Sequence, residues 1–311
     1  MSLLTEHPST VFTAPPEAFA PAPPEHRGLR RDQVRLLVAE SKGIIHTRFT
    51  SLPEHLRPGD AVVVNRSATV AGAWDGNSRR HGRVVLHAAT QLSRAARATE
   101  GHRSYSTEDW VIEVRTAPDA ARSVLDAEPG ERFSARGITV TLVEPYPAAD
   151  SSPTGHGNRL WRAKADGDLR AYLRRHGRPI AYGYLDRRYP LCDYQTVFGI
   201  LPGSAEMPSA GRPFTPALVT ALVTRGIAVL PVTLHTGVSS QEAGEAPQQE
   251  WFDPGDLGLL QHELRDDHVI GIAGASPWQV AAVTAEPAEQ PATKVGYRVA
   301  NGTCHGWLPF L

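Results

Sequence analysis

The chain has 311 residues with 32 Lys and Arg against 33 Asp and Glu, a net charge of −1 at pH 7; this balance excludes a protein that binds nucleic acid by wholesale positive charge, though not a local basic face. The length suits one large or two ordinary domains with a substantial core. Cys192 and Cys304, the only two cysteines, are too few for a disulfide framework or a zinc site and fit a reducing compartment, so no metal is expected. No apolar run approaches the ~20 residues that cross a bilayer, and the first residues lack the charged and apolar regions of a secretory leader, so the chain reads as cytoplasmic.

In chain order, residues 1 to about 28 are rich in Pro and Ala and are expected to run extended. A hairpin is predicted next, with strands over 34–40 and 44–49 about a turn at 41–43. A short helix over 51–57 follows, and Pro58, Gly59 and Asp60 turn the chain into an apolar strand over 61–64. Up to residue 166, β-branched or aromatic runs at 69–74, 83–88, 110–115, 137–143 and 160–165 alternate with Gly- and Pro-bearing turns. Strands at that spacing argue for an all-β module, a small barrel or sandwich, with 93–107 and 146–158 as loops. Helical periodicity returns at 168–176, where Leu169, Tyr172 and Leu173 share a face before Gly177 ends the run.

Residues 193–237 carry the densest signals. Turn formers from Pro202 through Ser209 to Gly211 lead into a helix capped by Thr215 and opened by Pro216, whose missing N–H costs nothing at the first helical position. Arg225 and Gly226 close it. The apolar run 227–234 has the length of a buried strand and ends in the polar cluster Thr233, His235, Thr236 and Gly237. Small and polar residues at both ends of this loop, helix and strand suit a ligand held where N–H groups converge at a helix start. Beyond it, 239–254 reads as a polar loop, 256–264 as a helix and 269–275 as a strand.

His235 is the strongest candidate for chemistry, because it ends an apolar strand among polar residues and only histidine titrates unperturbed near neutrality; the alternative is a structural histidine bonded to a neighbouring loop. Glu206, just before the helix, is either a group stabilised by the helix dipole or a ligand for a ribose diol. Ser209, Ala210 and Gly211 are small enough for backbone amides to approach a ligand closely, although most such turns are only turns. Arg79, Arg80, Arg83, Arg94, Arg97 and Arg103 are nearly cancelled by Glu108, Asp109, Asp119, Glu128 and Glu131, which reads as a mixed solvated surface.

The chain resembles the S-adenosylmethionine:tRNA ribosyltransferase-isomerase family of queuosine biosynthesis, whose core runs roughly YQTVY, AAPTAGLHF, a helix and VTLHVG. Tyr194, Gln195, Thr196, Val197 and Phe198, then Pro208, Ser209, Ala210, Gly211 and Phe214, then Val232, Thr233, Leu234, His235 and Gly237 stand here in that order. Arg35, Leu36, Leu37, Asn65, Tyr184, Asp186 and Arg187 match other passages. The resemblance implies an α/β main domain, residues 1–60 and 167–311, with an inserted all-β barrel domain, residues 61–166. It implies an enzyme that takes S-adenosylmethionine as ribosyl donor, transfers the ribosyl group to a 7-deazaguanine base in tRNA and rearranges it, releasing adenine and methionine.

On that resemblance His235 is the base near the acidic C5′ hydrogens and Glu206 the second catalytic candidate. Tyr194, Gln195, Thr196, Ser209, Ala210, Gly211, Thr233 and Gly237 hold the cofactor, Gln195 through a purine edge and Tyr194 by stacking; core packing is the alternative for those two. The cofactor cleft is expected between barrel and main domain. Pro213 stands where the family's GLHF has histidine, 274–278 read GASPW, and the chain ends some dozens of residues early. These departures leave open a paralogue using a small-molecule acceptor, or a binding protein without turnover. They also suggest that residues after about 285 are weakly ordered or pair with a second subunit in a homo-oligomer.

Overall fold

The computed structural model describes residues 20–40, 43–92, 109–146, 156–181 and 183–237, and the backbone of short strands within 251–309. Two 3-10 turns, Pro24–Arg27 and Arg31–Gln33, lead into a hairpin, β1 (Arg35–Glu40) with β2 (Gly43–Arg48), followed by a 3-10 helix, Phe49–His55. This is the short helix expected over 51–57, begun two residues earlier, and Pro53 inside it removes a backbone donor. Then come β3 (Ala61–Asn65), β4 (Ser67–Thr69), β5 (Ala73–Ser78), β6 (Gly82–Gln91), β7 (Asp109–Thr116), β8 (Arg132–Ala135), β9 (Ile138–Pro145) and β10 (Leu160–Ala165). Next are α1 (Leu169–His176), β11 (Leu201–Ser204), α2 (Pro216–Thr224), β12 (Ala228–Val232) and β13 (Leu234–His235). The strands β14 (Trp251–Phe252), β15 (Val269–Ala273), β16 (Val280–Thr284), β17 (Lys294–Gly296) and β18 (Trp307–Pro309) complete the order.

Strands β5 to β10 close into an antiparallel barrel in the order β10-β7-β6-β5-β8-β9. Trp74, Leu86, Ile112, Phe133, Leu142 and Trp161 fill it, and Leu169 and Leu173 of α1 join the same cluster. Asp168 caps α1 by accepting the Ala171 N–H at 3.0 Å, as an N-cap carboxylate should. A second apolar cluster, with Ala73, Val85, Val111 and Leu160 of the barrel, takes in Ile180 and Ala205 from beyond it. The structure is thus an α/β assembly with an all-β barrel inserted in its sequence.

The strand β3, expected to open the barrel module, lies instead in a mixed sheet of order β12-β3-β15-β16. It is buried at every residue, as a strand with parallel neighbours on both edges usually is. β12 runs parallel to it from Ala228↔Ala61 to Val232↔Asn65, and Pro231 is tolerated because β12 lies at the sheet edge. The strand predicted over 69–74 is interrupted: the Val70 N–H bonds Ser204 and the Gly72 N–H bonds Arg178, so these residues leave both sheets between β4 and β5. β8 had no prediction, because Phe133 is its only buried residue and a single apolar position carries no alternation. The predicted run 227–234 divides into β12 and β13 at Thr233.

α2 follows its local signals. Thr215 Oγ1 accepts the Leu218 N–H at 3.2 Å, and Gly226 just past its end takes φ +78°, a conformation that glycine adopts without strain. Leu218 and Leu222 pack on Leu36, Phe49, Val62, Val64 and Phe214. The predicted helix over 256–264 lies outside the described residues, as does most of the stretch after 285, of which the antiparallel pair β17 and β18 is described.

Candidate functional site

The site begins where the parallel strands end. β3 stops at Asn65 and β12 at Val232, its partner in register, and the carboxyl ends of parallel strands are the usual place for ligands in such sheets. Asn65 ties the two departing chains together: its Oδ1 accepts the N–H of Ser67 at 2.9 Å and of Leu234 at 3.1 Å, and its Nδ2 donates to the Leu234 carbonyl at 2.7 Å. Beside it Arg66 Nε donates to Thr233 Oγ1 at 2.8 Å. A strong local reason thus fixes where β4 and β13 start.

β4 runs parallel to β11 with Ser67 opposite Leu201 and Thr69 opposite Ser204, and the side chains of Ser67 and Ser204 meet across the pair. Their hydroxyl oxygens are 2.6 Å apart, and Ser67 Oγ is 2.7 Å from Nδ1 of His235. Ser204 Oγ also accepts the Thr236 N–H at 3.2 Å, and Thr236 Oγ1 donates to the Glu206 carbonyl at 2.8 Å. Ser67, Ser204 and Thr236 are all buried. His235 therefore ends an ordered chain of hydroxyl groups, a stricter arrangement than a lone histidine on a loop.

Gly203 lies directly under the imidazole. A Cβ there would stand 2.2 Å from His235 Nδ1, far inside contact distance, while the glycine backbone itself needs no special conformation. Gly203→Ala is therefore expected to leave the melting temperature within a few degrees, because the ring is the free end of a side chain and can swing, but to remove the Ser67–His235 bond. Thermal melts together with the histidine ring resonances check this; an undisturbed His235 signal in the alanine variant would contradict it.

Glu206 is buried on the other side of Ala205. Tyr184 is close enough that burial, reinforced by Glu206 and then Tyr194, pushes its phenol up to about 12; it is a protonated donor throughout the physiological range. Tyr194 is buried among Ala22, Tyr189, Leu185 and Met207. The turn 209–211 is a 3-10 helix in which the Ser209 hydroxyl oxygen is buried without a hydrogen-bond partner among the described residues. Gly211 sits against Thr196, where a Cβ would be 3.4 Å from its methyl carbon. Arg212 holds the turn to the 194–199 loop by donating to the Asp193 carbonyl at 2.7 Å.

Several expected ligand groups are already engaged within the protein. Gln195 accepts the Thr69 N–H at 3.1 Å and donates to the Thr69 carbonyl at 2.8 Å, a clamp on one peptide unit. Thr69 Oγ1 reinforces it by donating to the Tyr194 carbonyl at 2.8 Å. Thr196 Oγ1 accepts the Phe198 N–H, and Thr233 Oγ1 is the acceptor for Arg66. Ala210 is half-buried within the turn, and Gly237 is buried next to Thr236.

Sequence reading missed Ser67, Ser204 and Gly203, and gave Asn65 and Tyr184 no role. Asn65 carried a usable signal, an Asn at a strand end with a potential acceptor for an N–H two residues on; a single serine in a turn carries none. A separate pocket, lined by Gln91, Trp110, Ala165, Gly167, Asp168, Leu169 and Arg170, lies where β10 passes into α1 and includes none of these residues.

The family model described as "Queuosine biosynthesis protein" matches residues 9–252. An S-adenosylmethionine:tRNA ribosyltransferase-isomerase of Thermus thermophilus is 30% identical over 229 residues, 73% of this chain and 59% of that protein. The enzyme of the same name from Rhodopseudomonas palustris is 32% identical over 284 residues, 86% of this chain and 70% of its own. That of Pelobacter propionicus is 28% identical over 298 residues, 94% and 73% respectively. The chain thus spans about three fifths of the Thermus relative's length. The crystal structure of S-adenosylmethionine tRNA ribosyltransferase from Thermotoga maritima superposes with a TM-score of 0.31 at 18% identity, covering 84% of this chain and 67% of that one.

Proposed function

Because the chain belongs to the queuosine biosynthesis protein family, and the matched span 9–252 contains every residue of the His235 constellation, we propose that it is an S-adenosylmethionine-dependent ribosyltransferase-isomerase acting on a 7-deazaguanine base in tRNA. The observation that carries this reading is the His235 imidazole seated on a chain of buried hydroxyl groups at the carboxyl end of β3 and β12, with the backbone of buried Glu206 joined to that chain through Thr236. S-adenosylmethionine supplies a ribosyl group activated by a sulfonium cation.

The residues present suit that donor. Glu206 offers negative charge to a cation in a setting with little water, and the faces of Tyr184 and Tyr194 are favourable neighbours for one. The Ser209 hydroxyl, buried and without a partner among the described residues, is a group that a ligand hydroxyl would satisfy. Tyr194, Ser209 and the small residues Ala210 and Gly211 hold the nucleoside; Gln195, Thr196 and Thr233 hold the loops that carry them, and Gly237 leaves room beside Thr236. His235 and Glu206 are the two groups that handle polar or protonic chemistry. Ala205 packs in the cluster that joins the barrel to the rest, so a cofactor bound beside it would lie at the boundary where one is expected. A tRNA-modifying role also fits a cytoplasmic protein; no helix among the described residues is long and apolar enough to cross a membrane.

The near-neutral charge favours, as a second reading, a small-molecule acceptor for the same donor. Calorimetric titration with S-adenosylmethionine, followed by chromatography for adenine, tests both. Adenine release that needs tRNA, with binding that weakens steeply in salt, is the expected result. Release with a small acceptor alone would establish the second reading, heat without adenine would leave a binding protein, and the absence of any binding heat would overturn the proposal.

A further inference from the structure

We propose that the outward face of α1 docks the phosphate backbone of the RNA acceptor through Arg170, Arg174 and Arg175. This deepens the proposed function, on which the identity of the partner rests, by assigning the surface that meets it.

Leu169 and Leu173 of α1 are buried in the barrel cluster, while Arg170, Arg174 and Arg175 are exposed. The helical repeat gathers these three arginines, with Ala171, on the side away from the two leucines. The helix carries no acidic residue, and Arg174 and Arg175 make no ion pair among the described residues. The carboxylates near its ends are already committed. Asp168 accepts the Ala171 N–H, Asp166 accepts the Thr139 N–H at 2.7 Å, and Asp75 pairs with Arg178 at 2.6 Å. Tyr172 reaches the backbone of Arg136, whose exposed side chain adds a cation from the turn between β8 and β9. A surface of positive charge thus stands on a chain whose net charge is −1.

The helix dipole accounts for Arg174 and Arg175, because cations are stabilised in a last turn. It does not account for Arg170, which stands in the first turn, where the dipole disfavours a cation, and one turn before Arg174, where like charges repel. Arg170 is nevertheless held in place: its Nε donates to Gln91 Oε1 at 2.7 Å, and its guanidinium lies over the Trp110 ring, 5.9 Å from the centroid. Both partners are neutral, so the charge is kept, and the Nη groups can fork onto a phosphate. A helix that lies on a lipid surface needs exposed apolar residues beside its cations, whereas the leucines of α1 are taken up by the barrel. The face also adjoins the His235 site. Gly177, the cap of α1, lies against Ala71, where a Cβ would be 3.0 Å from the Ala71 Cβ, and Val70 beside it donates its N–H to the Ser204 carbonyl at 2.8 Å. One RNA strand spanning both requires that closeness.

The test is binding of a tRNA transcript to the full chain over a series of salt concentrations, without S-adenosylmethionine. Wild-type affinity is expected to fall steeply with salt. With Arg170→Gln, Arg174→Gln and Arg175→Gln combined, the slope of log affinity against log salt should flatten by about 1 for each arginine replaced. The three single variants, each flattening it by about 1, keep the test open should the triple variant not fold. Arg79→Gln, Arg83→Gln and Arg122→Gln combined make the same change in net charge at the opposite end of the barrel, where β6 begins and Thr116 meets Arg122, and should leave the slope near that of the wild type. Equal losses in both triple variants, an unchanged slope in the α1 variants, polyglutamate bound as tightly as the RNA, or a wild type that binds no RNA overturns the proposal. No turnover enters the measurement. A chain that binds RNA through α1 and releases no adenine would sink the ribosyltransferase reading alone, whereas tRNA-dependent adenine release together with an unchanged salt slope in the α1 variants would sink this one alone.

Discussion

Glu113→Ala is expected to lower the unfolding free energy by about 3–5 kcal/mol, the cost of leaving buried charges without their partner. Glu113 lies on β7 directly opposite His87 on β6, and its side chain is 3% exposed. Its carboxylate meets His87 Nδ1 at 3.5 Å, Arg115 Nη1 at 2.5 Å and Arg159 Nη1 at 3.4 Å, and accepts from the Ser123 hydroxyl at 2.9 Å. Removing the carboxylate takes the anion away from two guanidiniums, one of them as buried as Glu113 itself, while Arg115 keeps its bonds to the Ala120 and Ala121 carbonyls. Denaturant unfolding of wild type and variant measures the difference; a loss under about 1 kcal/mol would show that water reaches these guanidiniums.

The same group gives the barrel an acid dependence of definite sign. Burial alone would raise the Glu113 pKa, but the His87 hydrogen bond and the charges of Arg115, His87 and Arg159 outweigh it and hold the group down at about 2. A folded-state pKa below the unfolded one stabilises the native state above the ordinary carboxylate range, and that contribution is lost as pH falls from about 4.5 through about 2. Glu113→Gln should therefore differ most from wild type near neutrality and converge with it in acid. Two curves that stay parallel over that window would mean that other carboxylates govern acid unfolding.

His235→Gln is expected to reduce adenine release by about 10²- to 10⁴-fold, the usual worth of a single polar or proton-handling group at a reacting centre. Folding should change by only about 1 kcal/mol, because the glutamine amide, which can donate or accept, can keep one hydrogen bond to the Ser67 hydroxyl that His235 Nδ1 meets in the wild type. Were His235 merely structural, the melting temperature would fall by several degrees and cofactor affinity with it, while the turnover of the bound complex stayed near wild type. Single-turnover rates at saturating S-adenosylmethionine, with each acceptor in turn, separate the two patterns. Pro213→His restores the family's imidazole in GLHF, and is the first reversal to make if the wild type binds the cofactor without releasing adenine.

Elements whose causes are local were legible along the chain. The Asp168 cap of α1, the Thr215 and Pro216 start of α2, the glycine after it and the apolar run of β3 each depend on neighbours within a few residues, so their chemistry is visible in a short window. The motif strings likewise placed Tyr194, Ser209 and His235 in one family, because their order along the chain is itself the signal. What those residues touch was settled by contacts between distant segments. Ser67 meets Ser204 across 137 residues and His235 across 168, and two serines at the ends of very short strands have no periodicity to announce a contact. Gln195 has donor and acceptor groups suited to a purine and equally to a peptide unit; that it grips the peptide unit of Thr69, 126 residues away, is visible only in the structure. The same holds for β3, whose apolar run fits a barrel or a parallel sheet equally, since a short buried strand looks alike in both. Which partner it takes is set by the later return of β12, a contact that no window of sequence contains.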